Sequence, residues 1–316
     1  MNLFLAIVLT LGGIALVVFF SEQLVRGVVG VSVNFKVSAF LISVIFLGFD
    51  PENLGVGAVG SYESMSGIAI GSIIGAAMVA MALALGITAL FVPLKFKKIN
   101  KRLLIVPLLS VLLFGGLVLD QYLSRWDGVI LLSGYAVAVI YLIYLNRKGV
   151  TIKAGGEVEE TLKKENLPNK WKSAGLMLIS LMAIIGGSEM LVSGSRVILD
   201  KFQLSDTVYG MTILALLVSI EELARELPAA MKGKADVSLG NVIGSVLAFF
   251  LFNAGIISLV NPVNVSIEVI QFFLPVSIGT ILFILVLLVL INKIPRWAGA
   301  ILAVTYILFI LFGYLM

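Results

Sequence analysis

The chain contains neither cysteine nor histidine. Without thiols there is no disulfide framework and no thiolate metal site, and without imidazoles there is no histidine ligand or base. Zinc proteolysis of the HExxH kind is excluded, and no GxSxG nucleophile elbow occurs. An aspartyl protease needs two facing aspartates, and only Asp50 lies deep in an apolar run; Asp120, Asp127 and Asp200 fall near run ends. No enzyme and no cofactor is expected, and any bound metal must be held by oxygen. The N-terminus lacks the basic start and small-residue cleavage site of a secretory signal, so it reads as a mature first helix.

Charge is also scarce, at 13% of residues, whereas 60% are hydrophobic against roughly 45–50% in ordinary soluble domains. A helix needs about 20 apolar residues to cross a bilayer. Runs of that kind occupy residues 2–20, 37–58, 67–93, 103–120, 126–146, 172–194, 205–231, 237–260, 267–291 and 296–316. The fold class expected is an all-α integral membrane protein with ten transmembrane helices. The net charge of +4 could suggest nucleic acid, but Lys and Arg crowd the odd-numbered loops, including KFKKINKR at 95–102. That asymmetry is the positive-inside pattern; it places those loops in the cytoplasm and both termini outside the cell membrane, with the lipid bilayer and not nucleic acid as partner.

The chain is written twice. SEQLVRG at 21–27 returns as SEMLVSG at 188–194, GIAIGSIIGA at 67–76 as DVSLGNVIGS at 236–245, and RWDG at 125–128 as RWAG at 296–299. Matches in one order at nearly constant offset mark an internal repeat. Each copy holds an odd number of spans, so the second enters the membrane from the opposite side. Residues 1–146 and 172–316 are thus expected to be inverted five-helix repeats, joined by a polar cytoplasmic linker at 147–171. In that architecture the transport site lies near the midplane, on interrupted helices.

The second span of each repeat is where ionisable residues sit. VIFLGFDPENLGVGAVG at 44–60 carries Asp50 and Glu52, and LLVSIEELARELPAAM at 216–231 carries Glu221, Glu222, Arg225 and Glu226. Such residues cost at least roughly 2.5–3.5 kcal/mol each at the bilayer centre, so they line a cavity, pair or become neutral. Pro51 and the glycines around it let the backbone depart from regular helix and free carbonyls. Carboxylate, amide, hydroxyl and carbonyl oxygens form a hard-cation site of the kind sodium and calcium prefer. Arg225 shares a helix side with Glu221 and Glu222 and is expected to neutralise one of them, adjusting the charge together with Glu226. Gly71 with Gly75 and Gly240 with Gly244 suit close helix packing, with Ser72, Asn241 or Ser245 as possible ion contacts. Glu22 is expected to pair with Arg26 near a helix end, and Trp126 and Trp297 to anchor the membrane interface.

These segments resemble the sodium/calcium exchangers of the calcium/cation antiporter superfamily. GNVIGS at 240–245 matches the family's third-span motif fully and GSIIGA at 71–76 partly. The resemblance covers nearly the whole chain and implies alternating-access exchange of calcium for sodium or protons. The ion-binding motifs depart from the family pattern. Without gaps, Asn53 stands where the family has Glu, Asp50 at its Ser and Glu52 at its Pro. In the second copy Glu222 and Ser219 are kept, while Val218, Glu221 and Leu217 replace Thr, Pro and Gly. On the third spans Ala80 and Phe249 fall at the family's Asn and Asp ligands.

A one-residue slip at Pro51 would return Glu52 to the central position opposite Glu222; alternatively the site is rebuilt around Arg225. The resemblance implies Glu52 and Glu222 as principal ligands, with Asp50, Asn53, Ser219, Glu221 and Ser245 as further oxygen donors for inorganic cations. Two alternatives are a relative that exchanges sodium and protons, or another solute, without binding calcium, and a non-transporting membrane module whose charges form buried ion pairs.

Overall fold

A computed structural model of the chain describes residues 1–36, 42, 45, 48–96, 99–148, 161–162 and 169–315. Nearly every described residue is helical, as apolar segments in lipid must be, because a helix satisfies its own backbone donors and acceptors. In chain order the helices are α1 (Leu3–Asn34), α2 (Pro51–Tyr62), α3 (Ser66–Phe91), α4 (Lys101–Asp120), α5 (Arg125–Arg147) and α6 (Lys170–Phe202). They continue with α7 (Asp206–Ser219), α8 (Glu221–Met231), α9 (Ala235–Val260), α10 (Val269–Ile291) and α11 (Arg296–Gly313). Among the described residues, 8 helices are long and apolar enough to cross a membrane; α7 and α8, bent by 49° at their junction, bring the number to 9. The expected second span, 37–58, lies partly outside the described residues, and its part from Pro51 onward forms α2. Most of the expected linker at 147–171 also lies outside them.

Helix starts follow local chemistry. Asn2, Asn169 and Ser205 each accept a hydrogen bond from a first-turn amide, and Ser124 with Asp127 closes a reciprocal capping box at α5. Proline proves to be a starter as well. The backbone departs from helix at Gly48, Phe49 and Asp50, and Pro51 occupies the first turn of α2, where its missing N–H has no intrahelical partner to lose.

The core is built on α3 and α9, whose apolar windows are 94% and 83% buried, against 22% for α1. Both carry wider π-helical turns, at Gly71–Gly75 and Val79–Ala84 in α3 and at Ala248–Asn253 in α9. A single π turn commonly marks a functional position, since it re-aims the side chains beside it. Outside this core α1 and α6 lie antiparallel, at separations only glycine allows. A Cβ on Gly13 would sit 2.5 Å from the Gly187 carbonyl oxygen, and one on Gly194 would sit 2.6 Å from that of Ala6. The outward faces of this pair, with Phe4, Phe19 and Met182 exposed, suit lipid.

Contacts between the sequence copies are reciprocal. β1 (Leu94–Lys95) pairs antiparallel with β4 (Lys293–Ile294), and β2 (Tyr122–Leu123) pairs with β3 (Val263–Asn264). Gly86 of α3 meets Gly299 of α11, and Gly255 of α9 meets Gly128 of α5. In each case a group after or within the third span of one copy meets one before or within the fifth span of the other. A Cβ on Gly299 would lie 2.7 Å from the Gly86 carbonyl oxygen and 2.7 Å from the Leu90 amide. Gly299→Val is therefore expected to destabilise the fold by about 3 kcal/mol, read as a lower thermal midpoint in detergent.

Candidate functional site

Two half-helices begin beside each other in the interior. α2 starts at Pro51 after the non-helical residues Phe49 and Asp50, and α8 starts at Glu221 after the bend at Ile220. Each places acids in its first turn, Glu52 in α2 and Glu221 with Glu222 in α8. The partial positive charge at a helix N-terminus lowers the cost of holding those carboxylates. Both starts fall within the runs expected to be the second span of each sequence copy, at Pro51 and at Glu221.

Asp50 caps α2: its Oδ1 accepts from the Asn53 amide at 2.8 Å and its Oδ2 from Asn53 Nδ2 at 3.0 Å. Asn53 Nδ2 also donates to Ser219 Oγ at 2.8 Å, joining α2 to the last residue of α7. Asp50, Glu52, Asn53 and Ser219 are all buried. One carboxylate oxygen each from Asp50, Glu52 and Glu221 lie within 4.8 Å of one another, close enough to share a metal ion. Arg225 stands over this trio, 2.8 Å from Glu221 Oε1 and 4.0 Å from Glu52 Oε1. Of the two acids within its reach on the sequence, it takes Glu221, the i,i+4 partner.

Glu222 faces a different set of groups. Its Oε2 accepts a short hydrogen bond from Asn241 Nδ2 and its Oε1 accepts from Ser245 Oγ at 3.1 Å, both from the GNVIGS segment of α9. The Arg225 guanidinium and, after it, Asp50 lie within electrostatic range of it. Asn241 reaches further, to 3.4 Å from Glu226 Oε1, and Ser238 Oγ donates to the Glu226 carbonyl at 3.1 Å.

The residues singled out from sequence thus fall into two adjoining groups. Asp50, Glu52, Asn53, Ser219, Glu221 and Arg225 make one; Glu222, Ser245 and Glu226 make the other, with Asn241 joining its two acids. Asn241 was a lesser candidate on the sequence. Its signal was its place four residues before Ser245, on the same helix face. Ser72 Oγ donates to the Ala69 carbonyl of its own helix, and Ala80 and Phe249 are buried without a polar side chain to offer. Away from the centre, Glu22 pairs with Arg26 at 2.5 Å.

Apolar helices long enough to cross a membrane, packed around an internal cluster of carboxylates with one guanidinium among them, define a polytopic membrane protein with an acidic centre. The chain belongs to the sodium/calcium exchanger family: the family described as sodium/calcium exchanger protein matches it over residues 5–144 and 172–315. That is a family of membrane antiporters, not enzymes. An uncharacterized membrane protein of Methanocaldococcus jannaschii is 31% identical over 299 residues, covering 94% of each chain. The sodium/calcium exchanger MaX1 of Methanosarcina acetivorans is 24% identical over 333 residues, covering 94% of this chain and 95% of its own. Among solved structures, the sodium-calcium exchanger NCX_Mj, soaked with sodium and strontium, aligns with a TM-score of 0.61 and 27% identity, covering 97% of this chain and 98% of that one.

Proposed function

We propose that the protein is a secondary active antiporter that exchanges calcium for sodium or protons by alternating access. Ten spans in two inverted five-helix halves, 1–146 and 172–316, expose a midplane carboxylate site to each face in turn. The reciprocal strand pairs and glycine crossings between the copies support this arrangement, because related halves meeting about a two-fold axis make each such contact twice. The observation that carries the reading is the meeting of Asp50, Glu52 and Glu221 oxygens within 4.8 Å where two half-helices begin. Glu52 and Glu222 act as principal ligands, and Asp50, Asn53, Ser219, Glu221 and Ser245 supply further oxygens. Calcium takes six to eight oxygen ligands in flexible geometry, which a mixed set of this size can provide.

Flux in proteoliposomes tests the proposal. An outward sodium or proton gradient is expected to drive calcium uptake, and calcium that stays outside under both gradients would refute it.

The Arg225 guanidinium favours a second reading. A fixed positive charge beside Glu52 and Glu221 opposes a divalent ion more than a monovalent one, so sodium exchanging for protons becomes the activity, without calcium. Arg225→Met separates the two. If calcium is the cargo, removing the guanidinium is expected to lower the calcium concentration for half-maximal uptake about tenfold. On the second reading the wild type shows sodium/proton exchange and no calcium movement at any concentration.

A further inference from the structure

The two ribbons are one device made twice, so each serves as a control for the other. Phe96 N donates to the Asn292 carbonyl at 3.0 Å as Val265 N donates to that of Gln121 at 2.8 Å, and Asn292 and Gln121 both take left-handed backbone. Each ribbon also stands just before the Arg-Trp that opens a helix, Arg296 with Trp297 in α11 and Arg125 with Trp126 in α5. Their charges differ. Lys95 pairs directly opposite Lys293, whereas Tyr122 pairs opposite Asn264. Asp120 and Asp127 flank the second ribbon, and in the matching places beside the first stand Ile291 and Ala298. One ribbon thus gathers three cations and no acid, the other one cation and two acids.

Like charges directly opposite in an antiparallel pair repel, since their Cβ atoms are only about 4.5–5.5 Å apart. Both lysines are exposed, and neither they nor Arg296 enter an ion pair among the described residues. Arg296 is drawn in beside them, its Nη2 reaching the carbonyl of Phe91, the last residue of α3, at 3.5 Å. Next to these cations lie exposed apolar side chains: Phe91 at 69%, Leu290 at 72% and Trp297 at 54%. Tryptophan beside basic residues at a helix end marks the boundary between hydrocarbon and headgroups.

We infer that the β1–β4 ribbon is a binding site for an anionic lipid, whose phosphate meets Lys95, Lys293 and Arg296 while its acyl chains run along Phe91, Leu290 and Trp297. A soluble anion would answer the charge but leave those three side chains uncovered; a lipid does both. The basic loops put this ribbon on the face expected to be cytoplasmic, where the leaflet carries anionic lipid. β1 follows α3 of one copy and β4 precedes α11 of the other, so a headgroup touching both lysines ties the copies together at that face. The site lies apart from the acidic centre and stands whether or not the chain exchanges ions.

Fluorescence quenching in the purified full chain tests the site. The tryptophans are Trp126, Trp171 and Trp297, so W126F/W171F leaves Trp297 as the single reporter, next to the ribbon. Brominated phosphatidylglycerol in detergent micelles is expected to quench it at about 30-fold lower mole fraction than brominated phosphatidylcholine. Adding K95Q/K293Q, with folding checked by gel filtration, is expected to abolish that preference. K293Q alone, expected to weaken it about fivefold, carries the test should the double change not fold. W171F/W297F, which reports from Trp126 at the other ribbon, is expected to be quenched equally by both lipids. Equal quenching of Trp297 by the two lipids, or a preference that survives the lysine changes, overturns the inference. So does inorganic phosphate that displaces the anionic lipid at equal concentration, because the ribbon would then take the free anion.

Discussion

Glu222→Gln is expected to reduce gradient-driven cation flux at least about 100-fold while the chain still folds. The loss follows from charge. A buried site has little water to screen or replace a ligand, so removing one unit charge from it weakens cation binding far more than the same change at a surface. The retention of fold follows from the neighbours. Glu222 accepts from Asn241 and Ser245, and a glutamine would turn an NH2 toward one of these donors. A serine hydroxyl can rotate to accept, and an asparagine can flip to present its oxygen, so either adapts without moving backbone. The measurement is uptake into proteoliposomes by wild type and variant at matched reconstitution, with thermal midpoints recorded in parallel. Wild-type flux from the folded variant would remove Glu222 from the mechanism.

The acids of this site were legible in the sequence because membranes make them so: a carboxylate in an apolar run has few reasons to be there, and two copies of one sequence said which runs to compare. Spacing along a helix also identified the Arg225 and Glu221 pair as one of two choices. What spacing cannot give is the register between helices, and that register decides the rest. The amide of Asn241 meets Glu222 and Glu226 because α9 lies against α8 at one particular height, with Ser238 holding the Glu226 carbonyl. The departure from helix around Pro51 was legible, but not which side of the proline it falls on: the non-helical residues precede Pro51, which opens the first turn of α2. Whether Asn53 or Glu52 takes the central position is likewise a matter of packing: Asn53 contacts Ser219, and Glu52 lies by Arg225. The reciprocal ribbons left almost no trace, since two-residue strands carry no periodicity to read.

Gly48→Ala is expected to be the most damaging small substitution in the chain, destabilising the fold by more than about 4 kcal/mol. Gly48 has a φ of +69°, a left-handed conformation that costs any side chain, and it sits where the chain approaches α9. A Cβ there would lie 1.9 Å from the Gly244 carbonyl carbon, 2.1 Å from its oxygen and 2.3 Å from the Ser245 nitrogen. All three are backbone atoms, so no rotamer change relieves the overlap and one chain must move from the other. Ser245 would move with it, and Ser245 donates to Glu222, so the damage reaches the acidic centre even if the variant assembles. Gly186→Ala is the contrasting case. A Cβ on Gly186 in α6 meets nothing within 4 Å, and exchanging glycine for alanine inside a helix is worth up to about 1 kcal/mol in favour of the helix. Thermal midpoints from fluorescence-detected gel filtration in detergent would place Gly186→Ala at or above the wild type and Gly48→Ala far below it or unfolded. A folded Gly48→Ala protein with a wild-type midpoint would mean that this backbone crossing is not as close as described, and the placement of Ser245 against Glu222 would fall with it.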